Sequence, residues 1–530
     1  MVGAGIFFSR ISGFVRDVIF AYFFGNTGLA DVWRVSLKAP NVIQNLLGEG
    51  TLSASVIPVY AEFLEQGREE DAGRFAGAVL GILMVVAGGA ALLGILLAPA
   101  LVPAFFFRWD TEKLALTTRM VQILFPMTAV LVVSAWALAV LNSHRRFFIS
   151  YVAPVAWNGA ILCTLVALGF GMGWSGSTLL VAVAWGAFGG GVLQLIVQLP
   201  FVIPLLSHFR LSLSRMASGV TEAIRNFIPV VAARGVVNIG SLLDVFLAAL
   251  LVEGAVAALG YAQTLYLLPI SLFGMSIAAS ELPELSRQRA RPPEELAAQV
   301  STALERIHFL LIPSTLAFVL LGDLFIGGIY QRGSFLATDT PVVHAVLAAY
   351  ALGLLASSGS RVLSTAFYAL RDTRTPARVA YLRVALSLAI GVSLMFPLDG
   401  FGSGSLRFGA VGLAMGASVA AWVEYVMLRR RLGRALGAHG PRSSVRTRLL
   451  VAGGIASLVA VAAKWVLGST VPRRDGLLTG LMMDSAPWLL QPTLALGTAL
   501  IFGVAYLLAS ARLGVGIPLR GLLRADPDTQ

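Results

Sequence analysis

Charge is scarce in this chain: Asp, Glu, Lys and Arg make up only 12% of its 530 residues, about half the share of an ordinary soluble domain. With a mean hydropathy of +0.82 and 57% apolar residues, that scarcity excludes a soluble globular protein and calls for a membrane. Sulfur chemistry is equally thin. The single cysteine, Cys163, lies in an apolar run, so no disulfide framework or cysteine-based metal site can form within one chain. The five histidines, His144, His208, His308, His344 and His439, are scattered. The loops between apolar runs offer no DxD pair and no paired histidines, which argues against a membrane-embedded, metal-dependent glycosyltransferase. No loop is long enough to fold as a separate domain. A cleavable signal peptide is also missing, because the first apolar stretch carries Arg10 and Arg16 and no small-residue cleavage pattern follows. That stretch starts abruptly, which leaves room for a start further upstream.

What the chain has in abundance is apolar length. A spanning helix needs about 20 apolar residues to cross roughly 30 Å of hydrocarbon, and the sequence supplies fourteen such runs. They fall at about 1–24, 32–61, 75–104, 119–141, 149–172, 178–204, 225–252, 255–280, 306–330, 341–369, 377–398, 408–428, 448–467 and 487–511. The 55 glycines suit membrane helices, which pack closely through small residues. The expected fold is an all-α polytopic membrane protein of about fourteen helices.

A net charge of +12 and a pI near 10.3 raise the question of nucleic acid. The arginines, however, are dispersed through short loops and form no patch beside aromatics, so no nucleic-acid partner is expected. Sorted by side, most basic residues fall on one set of loops, including the run from Arg429 to Arg448. The positive-inside rule then puts both termini in the cytoplasm.

Weak internal symmetry divides the chain. RDVIFAYFFG followed by ADVWRVSLKAPNVI in the first two spans is echoed by LDVFLAALLV and LGYAQTLYLLPISLFG in the seventh and eighth. The fourth and tenth spans both run into a basic turn, LNSHRRF and LRDTRTP. The expected organisation is a first lobe of six spans at 1–204, a second at 225–428, and two appended spans with a tail at 429–530. The basic stretch 205–224 would join the lobes, either as an amphipathic helix on the inner leaflet or as a plain linker. Transporters built this way bind substrate between repeats.

The chemistry concentrates in charges inside the spans. In the first, Ser9, Arg10, Ser12, Gly13, Arg16 and Asp17 share one arc at about 100° per residue. In the second, Arg34, Lys38, Asn41, Asn45 and Glu49 recur every three or four residues and so fall within about 80° of one face of the helix. The seventh adds Arg234, Asn238 and Ser241 with Asp244 nearby, and the tenth adds Arg361. An ionised group at the bilayer centre costs about 2.5–3.5 kcal/mol on insertion scales, so these faces must meet water or partners. Internal pairing is the bland reading, for example Arg10 with Asp17 or Lys38 with Asp244. Cations nevertheless outnumber anions in the first two spans, and Asp31 is expected at the outer end. A cationic cavity suited to an anionic substrate such as a diphosphate follows, since arginine donates paired hydrogen bonds to phosphate oxygens. Pro40 and Pro269 would allow bends for gating, or serve as passive kinks.

These residues carry a family resemblance. SRISGFVRD at 9–17, ADVWRVSLKAPNVIQNLLGEGTLSASVIPVYAEF at 30–63, LNSHRRFFISYVAPVAWN at 141–158 and FYALRDTRTPARVA at 367–380 resemble the MurJ (MviN) lipid II flippases of the multidrug/oligosaccharidyl-lipid/polysaccharide exporter superfamily. The resemblance implies alternating access that carries undecaprenyl-diphosphate-linked lipid II from the inner to the outer leaflet for peptidoglycan synthesis. It also implies a lipid-tail groove beside the last two spans, and no enzyme activity. By motif, Arg10, Arg16 and Asp17 match functional charges of the first helix, Asp31, Lys38, Asn41 and Glu49 those of the second, and Arg361 a basic position of the tenth.

Two departures stand out: Gln44 and Asn45 occupy positions usually basic in the family, and Thr264 stands where an arginine is usual. Arg34 and Arg234 are candidate replacements. Sodium coupling would draw on Asp244, yet the eleventh span has no carboxylate. Coupling to membrane potential or to a cation, Na or H, is therefore open, and no cofactor or resident metal is expected. The expected partners are lipid II and membrane lipids, with the chain working as a monomer. The competing reading is another carrier of the same superfamily, moving an O-antigen-type lipid or a drug; a drug-cation carrier would want an acidic, aromatic cavity.

Overall fold

The computed structural model describes residues 2–214, 217–278, 292–402, 407–468, 476–482 and 487–515. Among these residues every regular element is helical, and eleven helical segments are long and apolar enough to cross a membrane. The chain is an all-α polytopic membrane protein. Helix α1 (Val2–Phe24), α2 (Gly28–Leu47) and α9 (Val220–Ala249) match the others in length but are not among those eleven. Helix α1, with Arg10, Arg16 and Asp17, and α2, with Asp31, Arg34 and Lys38, are too charged for apolarity alone to find, while α9 holds an apolar stretch, Asn238–Ala249. A helix is the economical form here because it satisfies every backbone group within the segment.

By packing, the chain forms two units, 1–257 with 333–335, and 258–332 with 336–530. The first holds α1, α2, α3 (Glu49–Ser55), α4 (Ile57–Glu65), α5 (Glu69–Phe105), α6 (Thr111–Ser143), α7 (Phe147–Thr164), α8 (Gly176–Val202) and α9. Its core gathers Leu52, Tyr60, Phe63, Phe75, Trp136 and Leu141. Helix α9 belongs to this unit because it packs on α2 and α3, so the packing boundary falls after the 205–224 stretch that divides the sequence.

Two elements differ from expectation. The single run at 32–61 is three helices: α2 stops at Gly48, whose backbone is extended (φ −92°, ψ −156°), and a Cβ there would strike the Gln44 carbonyl. Glu49 therefore starts α3 instead of ending the α2 stripe. The 205–224 stretch is no surface helix either. Residues 206–214 have no regular structure and lie along a glycine seam of α5, where Gly73, Gly77 and Gly81 face the carbonyls of Ser207, Arg210 and Ser212. Residues 215–216 lie outside the described set.

The second unit begins within α10 (Ala255–Pro269), which passes into a π-helical turn, Ile270–Gly274. Pro269 lacks an N–H, and the turn after it closes from Met275 N to Ile270 O. Then come α11 (Pro293–Tyr330), α12 (Asp339–Ala351), α13 (Leu354–Ala369), α14 (Arg374–Gly400), α15 (Gly409–Leu436), α16 (Ser443–Leu467), α17 (Leu477–Met482) and α18 (Pro487–Arg512). The 341–369 run is split at Gly353, where a Cβ would lie 2.7 Å from Ser418 Oγ. Helices α16 and α18 join α11 through Ile312, Leu321, Ala456, Leu494 and Tyr506.

One local feature occurs in both units. After α6, Arg145 adopts φ 59° while Arg146 N donates to Leu141 O at 2.9 Å. After α13, Arg371 adopts φ 62° while Asp372 N donates to Phe367 O at 2.9 Å. Both are Schellman-type ends with a left-handed arginine, the structural form of the two basic turns.

Candidate functional site

The first unit gathers a polar cluster from α1, α2 and α7. Asp17 is buried, with 6% exposure, and is held by two arginines. Arg16 donates to its Oδ1 through Nη2 at 2.8 Å and Nε at 3.1 Å, and Arg34 Nη2 lies 3.5 Å from Oδ2. Arg16 also donates through Nη1 to Asn158 Oδ1 at 3.0 Å. Asn158 in turn donates from Nδ2 to Ser12 Oγ at 2.9 Å. The Arg16 guanidinium sits over the Trp157 ring, 5.1 Å from its centre, and Trp157 Nε1 is itself tied to Ala187 O at 3.0 Å. Asp17 thus pairs with Arg16 and Arg34, not with Arg10 as internal pairing suggested. Arg10 is exposed and makes no ion pair among the described residues.

Further along α2, the stripe meets α9 within the same unit. Asn45 Nδ2 donates to Asn238 Oδ1 at 3.2 Å, and Asn238 Nδ2 donates to Arg234 O at 2.9 Å. Lys38 lies within electrostatic range of Asp244, and Glu49 within range of Arg234. The Arg234 guanidinium lies against Gly50, where any side chain would collide with it. Asn41 is half-buried, and Pro40 is buried within a helix that runs on to Leu47. Together Arg10, Arg16, Arg34, Lys38 and Arg234 set five cations against three carboxylates, Asp17, Glu49 and Asp244. The surplus is positive even after every pairing described here.

Asp31 belongs to a different site, at the other end of α2 from Glu49. It is 2% exposed and its carboxylate accepts from Gly254 N at 2.8 Å, Ala257 N at 2.9 Å and Lys113 Nζ at 3.0 Å. It therefore caps the start of α10. Glu253 returns the arrangement, accepting from Gly28 N at the start of α2 at 2.6 Å. Neighbouring turns reinforce it. Arg108 donates to Leu250 O at 2.7 Å and Trp109 Nε1 to Ala249 O at 3.0 Å, while Ser334 bonds Tyr22 O and Phe23 O.

In the second unit Arg361 is exposed on α13, within electrostatic range of Arg383, Tyr266 and Glu424. Arg383 of α14 donates to Glu424 of α15 at 2.7 Å. Thr264, at the usual arginine position, bonds its own helix at Gly260 O, and Gln263 donates to Tyr350 Oη at 2.9 Å. Pro269 is buried at the entry to the π turn. Among the described residues no cluster of three His, Cys, Asp or Glu could hold a metal.

Sequence reasoning singled out the charges and missed their neutral partners. Asn158 and Trp157 close the AWN end of a quoted motif, and that placement of an amide beside an indole inside an apolar run was the available signal. Lys113 and Arg383 were visible only as isolated cations.

The comparisons decide the family. The family model described as lipid II flippase MurJ matches residues 20–474. The chain belongs to the MurJ family. A probable lipid II flippase MurJ of Rhizobium tropici is 30% identical, covering 99% of this chain and 96% of that protein; one from Haemophilus influenzae is 28% identical over 82% of this chain and 86% of its own. Among solved structures, a lipid II flippase MurJ in an inward closed conformation matches with a TM-score of 0.75 at 20% identity, covering 99% of both chains. An inward-facing MATE multidrug transporter of the MOP superfamily matches at 0.67 and 14% identity, over 80% of this chain. At such identities these structures speak for the fold. MurJ-family membership marks the chain as a transporter and not an enzyme.

Proposed function

We propose that the protein is a lipid II flippase, moving the undecaprenyl-diphosphate-linked peptidoglycan precursor from the inner to the outer leaflet by alternating access. The observation that carries this reading is the double-arginine clamp on Asp17, set in a region with surplus positive charge. A fully neutralised cluster would be structural; a surplus of arginines in low dielectric is suited to a diphosphate, which accepts paired guanidinium hydrogen bonds. Asp17 holds the guanidinium groups apart and oriented while the site is empty. A diphosphate can then exchange for it as an acceptor.

The basic loops support cytoplasmic termini. In that orientation the Asp31–Glu253 capping pair lies at the outer end. Membrane potential acting on the site charge, worth about 2.3 kcal/mol per charge per 100 mV, is a sufficient drive in principle. The cationic surplus disfavours a drug-cation cargo. Rescue of a host depleted of its own flippase, with outer-leaflet lipid II as readout, tests the proposal. The wild-type chain should restore growth, and Arg16→Gln, Arg34→Gln or Arg234→Gln should each abolish rescue at equal membrane abundance. Rescue by all three variants would overturn the assignment of the site. A well-expressed wild-type chain that fails to rescue would point to another lipid-linked cargo.

A further inference from the structure

The end of α15 and its connection to α16 hold a second polar feature, in the second unit and apart from the charges above. From Tyr425 to Gly468 the sequence contains seven arginines and no carboxylate. Glu305 of α11 pairs with one of them, Arg442, at 3.4 Å. Within this stretch lies a cavity of about 310 Å³, lined by Tyr425, Val426, Arg429, Arg430, Gly433 and His439 among others. That volume is at the lower end for small-molecule pockets, about 300–1,000 Å³.

His439 is the unusual group in it. Its residue exposure is 9%, and its Nδ1 lies 3.0 Å from Gly437 O, while Nε2 is buried with no hydrogen-bond partner. A neutral imidazole that donates from Nδ1 presents Nε2 as an acceptor, so a hydroxyl donor brought to it would take a place that no protein group fills. Arg429 is fixed beside it, donating from Nε and Nη2 to His439 O at 3.3 and 3.1 Å. Arg430 is exposed at the mouth. The third requirement is apolar. Val419, Trp422 and Val426 are 40%, 40% and 39% exposed, and at spacings of three and four they form one stripe of α15 that continues to Arg430.

We propose that this cavity binds the headgroup of an anionic phospholipid that carries free hydroxyls. The phosphodiester faces Arg429 and Arg430, a headgroup hydroxyl donates to His439 Nε2, and an acyl chain follows Val426, Trp422 and Val419. Basic pockets at the cytoplasmic ends of membrane helices are suited to such headgroups. A free phosphate ester would satisfy the arginines and the imidazole but leave the stripe unused. From the proposed function this inference takes only the orientation, which puts the cavity at the inner leaflet.

The test uses the purified full-length chain in vesicles of phosphatidylcholine with a minor fraction of phosphatidylglycerol, and native mass spectrometry of retained lipid. Wild type should retain phosphatidylglycerol in preference to phosphatidylcholine. His439→Leu and Arg430→Gln should each weaken that retention about tenfold, as expected for losing one hydrogen bond to a charged ligand. Val426→Trp, which fills the apolar wall and leaves the charges, should do the same. Thermal unfolding in phosphatidylcholine alone checks that the variants fold; if His439→Leu does not, the other two decide. Equal retention by wild type and variants, or no preference over phosphatidylcholine, overturns the proposal. Displacement of the lipid by sn-glycerol 3-phosphate at matching concentration would make the occupant a soluble phosphate ester and overturn the lipid assignment. Because binding is the readout, failure of the flippase reading would leave this result intact.

Discussion

At the scale of single residues, charge in the membrane is managed through neutral neighbours. Arg16 has an ion-pair partner in Asp17, an amide partner in Asn158 and an aromatic face in Trp157. Removing one member of a buried charge pair typically costs about 3–5 kcal/mol because it strands the other. His144 shows the same management outside the spans. Its Nε2 lies 3.3 Å from Tyr60 Oη, and burial, with repulsion from Arg146, holds the imidazole below its ordinary value, against a smaller opposing pull from Glu69. The fold therefore favours neutral His144. Its contribution to stability is present above about pH 6.5, the unfolded value, and is lost as the pH falls through the depressed folded value. Thermal unfolding against pH should show a fall on acidification that His144→Gln flattens. An unchanged slope in the variant would remove His144 from that account.

At the scale of elements, glycine decides where backbones meet. Gly73, Gly77 and Gly81 recur every four residues on α5, and the chain after α8 lies against them. A Cβ at Gly77 would collide with the Arg210 carbonyl, whereas one at Gly88 of the same helix would meet nothing within 4 Å. Gly77→Ala should lower stability by about 1–3 kcal/mol, the usual cost of overpacking. Gly88→Ala should be neutral or slightly stabilising, since alanine is the better helix former. Unfolding midpoints of the two variants in one detergent settle the comparison, and equal midpoints would discard the seam. The apolar spans were legible because their length alone sets them apart. The breaks at Gly48 and Gly353 were not, because a glycine within an apolar run reads as ordinary membrane packing until a neighbouring backbone is known to approach.

At the scale of the whole molecule, the crossed capping of α2 and α10 gives Asp31 and Asp17 separate roles. Asp31, which the sequence already set apart at the outer end of the second span, serves three donors at one end of α2. Asp17 serves arginines elsewhere. Loss of Asp31 leaves the Lys113 ammonium and two backbone N–H groups without their acceptor, at about 1–3 kcal/mol for each buried group. In a Cys163→Ser background with Leu250→Cys as reporter, Asp31→Ala should raise the rate of labelling by a membrane-impermeant thiol reagent applied to the membrane face opposite the basic loops. Unchanged labelling would mean that the cap does not shield Leu250.

The sequence by itself determined that the chain lives in a membrane, how many apolar runs it has, and that cations outnumber anions in the first spans. Those follow from composition and helical period, which act locally and survive any packing. Only the tertiary structure decided that Arg34 joins Arg16 on Asp17, that Asn158 and Trp157 complete the clamp, and that α9 packs with α2. Those contacts join residues far apart in the chain, and desolvation makes each polar group take whichever partner packing brings within a few ångströms.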